Sequence, residues 1–329
     1  MLYNPFQKFS FDNKTCFLSG QTLTSSEEQI QVFPSWLMQH YQLEEKPFKL
    51  LDESITTYKK LQVPCSVETS DKLEKLEEAI KSAFLGGYEE VIKLDSQLLF
   101  QWIGKLLYGI VFNEIQLGIR QQLMSGEAMN FSQVLARKFT NLHVMLQSMI
   151  RPMEFEVNLP FSINIFEIDS IDDKFNYRDE INTLVFSLRM KNFGIVACLQ
   201  DNGANNKYHD TKLQIVSGKK LHPIQFEEIC GLFFYSAYLF NRLPEYAILP
   251  TEEVVYIEPM PLAGTDTRPI FDPFQAKTYG QVLENFWKPW GFTLFEIIKD
   301  PENPMTFLTD QTGAFRPCET IELPKTYDN

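Results

Sequence analysis

Positive charge is scarce in this chain. Its 329 residues carry 30 Lys plus Arg against 43 Asp plus Glu, a formal net charge of −13. Nucleic-acid affinity rests mainly on Lys and Arg set against phosphates, so this balance argues against a nucleic-acid partner. Cysteine is scarce too. The five, at 16, 65, 198, 230 and 318, are odd in number and show no short repeated spacing. That pattern excludes a disulfide framework and implies free thiols in a reducing compartment. The four histidines, at 40, 143, 209 and 222, include no pair at the spacing of a helical metal site. No run reaches the ~18 apolar residues of a membrane helix. The first residues, Met1 to Phe6, lack a basic segment leading into an apolar run. A cytoplasmic location without membrane partners is therefore expected. There is no glycine-rich phosphate loop, nucleophile elbow or dinucleotide fingerprint, so no cofactor is expected.

What is abundant is apolar and aromatic: 44% of residues are hydrophobic and 28 are Phe. Such a chain can bury a sizeable core. Pro34 to Leu43 reads as a short helix with proline at its start. Phe48 to Leu51 and Thr56 to Val63 read as strands. A helix capped by Ser70, with Leu73, Leu76, Ile80 and Ala83 on one face, closes at Gly86-Gly87. Residues 95–124 carry apolar positions at steps of three and four, from Leu98 to Ile115, and predict a long core helix. Its Gly104 and Gly109 allow close helix packing. A second helix is predicted over 131–150. From Glu154 the period shortens to two, and 154–220 predicts a small antiparallel sheet. Its strands include Phe161 to Ile168, Thr183 to Met190, Gly194 to Gln200 and Leu213 to Val216. Asp201 to Asn206 reads as a polar loop. Residues 223–243 predict a buried helix, apolar nearly all round. Strands are predicted at Val254 to Glu258 and Phe292 to Ile298. The fold class is α+β, divided into units of residues 1–90 and 91–329.

Three blocks near the start have a recognisable order. Cys16-Phe17-Leu18-Ser19-Gly20 comes first, then Ile30-Gln31-Val32-Phe33-Pro34-Ser35-Trp36-Leu37. Val63-Pro64-Cys65-Ser66-Val67-Glu68-Thr69-Ser70 follows, leading into a helix. This resembles a His-Asn-His (HNH) endonuclease domain of the treble-clef type, in which two knuckles each supply two zinc thiolates to a ββα frame. The resemblance implies zinc positions at Cys16, Ser19, Ser66 and Thr69. Only the first is a thiol, and hydroxyls are poor ligands for structural zinc. It implies catalytic positions at Gln31, in place of the His, and Ser70, in place of the Asn. A Gln amide has no titratable proton with which to serve as a base. Residues 1–90 hold nine Lys and no Arg against fourteen acidic residues, so the segment is itself acidic.

The reading is a non-catalytic binding or scaffold module on an HNH-like subdomain that lost its zinc and its histidine, with a protein or small-molecule partner. The alternative is a divalent-metal nuclease with relocated residues Glu27, Glu28, Gln31 and Cys16. Two weaker candidates lie further on. His209-Asp210 in a polar loop has the form of a base with its orienting carboxylate. Asp169, Asp172, Asp173 and Asp179, with Arg178, form an acidic group of the kind that binds cations, although without calcium-loop spacing. His143 reads as a structural core histidine.

Overall fold

The computed structural model describes residues 2–25, 28–126, 131–155, 158–170, 172–264 and 267–323. The chain begins with α1 (Pro5–Lys8), β1 (Gln29–Gln31), α2 (Ser35–His40), β2 (Pro47–Lys49), β3 (Ile55–Thr57) and β4 (Gln62–Pro64). Helices α3 (Val67–Gly86), α4 (Tyr88–Val91), α5 (Ser96–Ser125) and α6 (Gln133–Leu146) follow. Then come β5 (Met153–Phe155), β6 (Ser162–Glu167), β7 (Asn176–Glu180), β8 (Val185–Met190) and β9 (Phe193–Cys198). The remainder holds α7 (Ala204–Tyr208), α8 (Asp210–Val216), α9 (Pro223–Leu239), β10 (Tyr246–Pro250), β11 (Val255–Pro259), α10 (Ala276–Trp287) and α11 (Leu294–Ile297). The fold is α+β, with helices and small, mainly antiparallel sheets.

Contacts divide the chain into two compact units, and not at residue 90. The first takes Met1–Gly86, Lys93–Leu159 and Leu243–Met260; the second takes Gly87–Ile92, Pro160–Arg242 and Pro261–Asn329. The long helix therefore belongs with the N-terminal segment.

In the first unit, α5 is buried from Leu99 to Phe112. Asp95 caps its start by accepting from the Gln97 amide, and Gly126 ends it in the left-handed region. Its two glycines permit close approach, as the sequence suggests. A Cβ on Gly104 would lie 2.6 Å from Leu146 on α6, and one on Gly109 would lie 2.7 Å from Val32. Helix α6 is shorter than predicted, and Val134 is exposed. Helix α3 starts at Val67 rather than after Ser70, so Ser70 sits inside its first turns. Leu73, Leu76, Ile80 and Ala83 are buried on one face, as the pattern requires. Strand β1 pairs antiparallel with β4, Ile30 opposite Val63, which gives a β-β-α order ending in α3. The predicted strand 56–63 is broken, because Tyr58–Lys60 forms a 3-10 turn. Among the described residues no helix is long and apolar enough to cross a membrane. Lys105, Asn113 and Glu114 interrupt α5.

The second unit is a four-stranded antiparallel sheet of order β6-β9-β8-β7, with α9 against one face and α10 against α9. Strand β7 was not foreseen: its residues, Asn176 to Glu180, are all polar or aromatic, and only edge pairing with β8 makes them a strand. Two predicted strands are helices instead. Leu213 to Val216 lies in α8, and Phe292 to Ile298 contains α11, started by a reciprocal Thr293–Glu296 capping box. Short apolar runs do not distinguish a buried strand from a helical turn. Gly194, opposite Arg189 on β8, lets the Phe226 ring of α9 rest on the sheet; a Cβ there would lie 2.5 Å from that ring. Gly194→Ala is expected to cost about 1–3 kcal/mol through overpacking. A change under about 0.5 kcal/mol in chemical denaturation would show that the ring yields freely.

Candidate functional site

The four positions that the HNH resemblance marks for zinc come together in the first unit. Residues 15–22 form a hairpin turn, closed by Cys16 N–H to Gln21 O (2.8 Å) and Gly20 N–H to Cys16 O (3.0 Å). Gly20 has φ +73°, and a Cβ there would strike the Tyr3 ring. The turn is tied to the end of β4 by Phe17 N–H to Pro64 O (2.8 Å). From the side of α6, buried His143 holds the same turn: its Nε2 lies 2.8 Å from Phe17 O. A carbonyl only accepts, so Nε2 carries the hydrogen and Nδ1 faces Gln147 Nε2 at 3.4 Å. Burial lowers the His143 pKa to about 4, so the ring stays neutral. Its role is structural, as the sequence implies.

At the centre Cys16 Sγ lies 3.6 Å from Thr69 Oγ1, and Ser66 Oγ donates to the same oxygen at 3.0 Å. Cys16 is fully buried, Cys65 and Ser66 nearly so. The Cys65 thiol donates to Ser66 O (3.6 Å). The neighbouring Cys65 thiol holds the Cys16 thiol far below its usual range, against the opposing effect of burial, and Ser19 adds to the lowering. The Cys16 neighbour, with burial, pushes the Cys65 thiol up. Cys65 therefore joins the cluster although it lies one residue from the expected ligand position. Two thiols and three hydroxyls do not fit structural zinc, which takes four N/S ligands. Here the hydroxyls are engaged with one another and with sulfur.

The two positions that the resemblance aligns with the family's His and Asn line one cleft, of about 550 Å³. Gln31 on β1 and Ser70 on α3 line it, with Trp36, Glu74, Glu77, Glu78, Lys81 and Lys105. Gln31 Oε1 is buried and has no hydrogen-bond partner. The cleft floor is a charge cluster. Lys105, 4% exposed, reaches Glu77 at 2.5 Å, and Glu77 also accepts from Trp102 Nε1 (3.1 Å) and Trp36 Nε1 (3.3 Å). With that pair internally balanced, Glu74 and Glu78 outweigh Lys81. No histidine or cysteine lines the cleft. The Glu77–Lys105 pair was missed in the sequence, though a signal existed. Glu77 falls inside the apolar stripe of Leu73, Leu76 and Ile80, where an acid needs a buried partner.

Of the relocated nuclease set, Glu27 lies outside the described residues. Glu28 accepts from Thr24 and Ser25, and those bonds lower its pKa. Among the described residues no three His, Cys, Asp or Glu form a group able to hold a metal ion. The weaker candidates also come out differently. Residues 204–208 are helical, not a loop, and His209 is buried, 2.8 Å from Ser236 Oγ of α9. Burial lowers its pKa to about 4. Asp210 accepts instead from Gln214. The aspartates separate: Asp169 pairs with Lys220 (2.9 Å), Asp172 with Lys174 (2.9 Å), and Asp173 accepts from the Lys191 amide. Arg178 turns towards Glu227 at 3.8 Å and lies over the Phe286 ring. Cys198 and Cys230 are core thiols. In comparisons with known proteins, no family model, curated protein or solved structure matches this chain.

Proposed function

We propose that the chain is a non-catalytic binding module, built on an HNH-like subdomain without zinc or a catalytic histidine, whose cleft takes a basic segment of a partner. The observation that carries this reading is the cleft lining. Gln31 and Ser70, which the resemblance aligns with the family's base and amide, line the cleft, and its open rim holds Glu74 and Glu78 beside Trp36. Carboxylates there repel phosphates and attract Lys or Arg. An aromatic face next to them adds a surface on which a cation can rest.

The test is binding of the full chain to a labelled Lys/Arg-rich peptide and to duplex DNA at physiological salt, beside a cleavage assay with Mg²⁺ or Mn²⁺. Peptide binding is expected, weakened about tenfold or more by Glu74→Lys with Glu78→Lys, each reversal contributing roughly 1 kcal/mol. Neither DNA binding nor cleavage is expected, and Gln31→Ala is expected to leave peptide binding intact. DNA cleavage abolished by Gln31→Ala would overturn the proposal in favour of a nuclease. Peptide binding unaffected by the charge reversals would remove the cleft from it.

A further inference from the structure

In the second unit, residues 308–316 fold back on themselves as a hairpin against α9. Thr309 and Phe315 form an antiparallel bridge. Arg316 N–H donates to Leu308 O (3.0 Å) and Asp310 N–H to Ala314 O (2.9 Å). Gly313, at φ +83°, supplies the left-handed residue of the turn. Two buried side chains of α9 pin the base of the hairpin. Gln225 Nε2 donates to Phe307 O (2.8 Å) and to Arg316 O (2.7 Å). Glu228 accepts from the Phe307 amide (2.6 Å) and from Thr306 Oγ1. With both of its strands held in this way, the hairpin presents its side chains from a fixed backbone.

Beside it lies a cavity of about 610 Å³, a size common among small-molecule sites. Thr306, Thr309, Asp310, Gln311, Arg316 and Thr320 are among its lining. Arg316 gives one N–H to Thr320 O (2.9 Å), in the 3-10 turn Cys318–Thr320, and its guanidinium lies 5.5 Å from the centre of the Phe307 ring. Its other guanidinium N–H groups have no hydrogen-bond partner among the described residues. Asp310 is fixed through one oxygen. Its Oδ1 accepts from Thr312 Oγ1 (2.6 Å), Thr312 N–H (2.8 Å) and Ala314 N–H (3.1 Å). The Thr312 hydroxyl and these amides lower its pKa, so it stays ionised. Its Oδ2 has no partner among the described residues. One cation and one anion, each held by its own contacts and not paired with the other, thus line a single cavity.

This pair of charges defines the ligand. A phosphate dianion there meets the Asp310 carboxylate, and a simple amine meets the Arg316 guanidinium; like charges repel. A molecule that carries both charges satisfies both walls. We propose that the cavity binds a free α-amino acid, with its α-carboxylate on Arg316 and its α-ammonium on Asp310. Arginine suits the first contact because its planar donors match the two oxygens of a carboxylate. Thr309 and Gln311 add a hydroxyl and an amide to the lining, which suit an uncharged polar side chain on the ligand. The cavity belongs wholly to the second unit, so the inference does not depend on what the cleft of the first unit binds.

The test titrates the full chain by calorimetry with L-serine, L-threonine, L-asparagine and L-glutamine. At least one should bind saturably, one per chain. Its N-acetyl derivative, which lacks the ammonium, and its α-amide, which lacks the carboxylate, should each bind about tenfold or more weakly, the loss of one charge-assisted contact. Arg316→Gln and Asp310→Asn should each weaken the parent amino acid to a similar extent. Asn keeps the Oδ1 acceptor that holds the turn, and thermal melts followed by circular dichroism check that both variants fold. The comparison of derivatives uses the wild-type chain and stands without the variants. Failure of all four amino acids to saturate the chain at millimolar concentrations would overturn the proposal. So would a derivative that binds as tightly as its parent, or binding that survives both substitutions in folded protein.

Discussion

Glu77→Ala will destabilise the first unit by about 3–5 kcal/mol, the range for breaking a buried ion pair from one side. The size follows from what is left behind. Lys105 is 4% exposed on the middle of α5, and Glu77 is its ion-pair partner. Removing the carboxylate leaves an ammonium out of water without compensation. It also leaves the Trp102 and Trp36 indole N–H groups without their acceptor. Each such orphan costs roughly 1–3 kcal/mol when buried. Glu77→Gln keeps an acceptor for the indoles and loses only the charge, so it should fall between Ala and wild type. Lys105→Met should cost less than Glu77→Ala. It leaves a carboxylate that is 16% exposed and still receives both indoles. Urea denaturation followed by tryptophan fluorescence reads this directly, because two of the four tryptophans donate to Glu77. With two compact units, the relevant quantity is the midpoint of the transition that moves. A Glu77→Ala midpoint that matches wild type would mean that water already reaches Lys105.

In the second unit the largest effect should come from pH acting on Glu228. This side chain is buried on α9, and burial raises its pKa from 4.5 to about 7. Hydrogen bonds from Thr306 Oγ1 (2.5 Å) and the Phe307 amide (2.6 Å) oppose the rise without cancelling it. Below the unfolded-state value both states hold the proton, and the carboxyl carries no penalty. Between there and about 7, the folded chain keeps a proton that the unfolded chain has released. Stability therefore falls as pH rises through that window, by about 3 kcal/mol in all. His143 and His209 act in the opposite sense. Their pKa values are lowered to about 4, so the stability they contribute is lost as pH falls below 6.5. Comparing Glu228→Gln with wild type isolates the one group. The variant should gain on wild type steadily from pH 4.5 to pH 8 and then level off, and thermal melts across that range read the gain. A difference that is flat with pH would show that Glu228 ionises in the fold at its ordinary value.

Local pattern alone settled much of this protein. The spacing of Leu73, Leu76, Ile80 and Ala83 determined the buried face of α3, since a 3.6-residue period leaves one stripe to cover. The apolar block around α5 and the all-round apolar α9 were legible for the same reason, and with them the α+β class. The alternation in β6 and the apolar runs of β8 and β9 were equally plain. The HNH resemblance marked Cys16, Ser19, Ser66 and Thr69, and Gln31 with Ser70; in the structure Cys16, Ser66 and Thr69 are within hydrogen-bond reach and Gln31 and Ser70 line one cleft.

Tertiary structure decided the rest. Strand β7 has no apolar alternation and exists because β8 offers it an edge. Leu213 to Val216 and Phe292 to Ile298 are too short for their period to choose between strand and helix, so packing chose helix, with a capping box as well at α11. His209 lies in a polar stretch of sequence, yet α7 and α8 turn it onto Ser236, and burial changes its chemistry. The bond from the Phe17 N–H to Pro64 O ties the first turn to the end of β4 across 47 positions of sequence. The meeting of Glu77 with Lys105 depends on where α3 crosses α5. Sequence periodicity reports which face of an element is buried, but not which residue of another element it meets there. That depends on the packing of whole helices and strands.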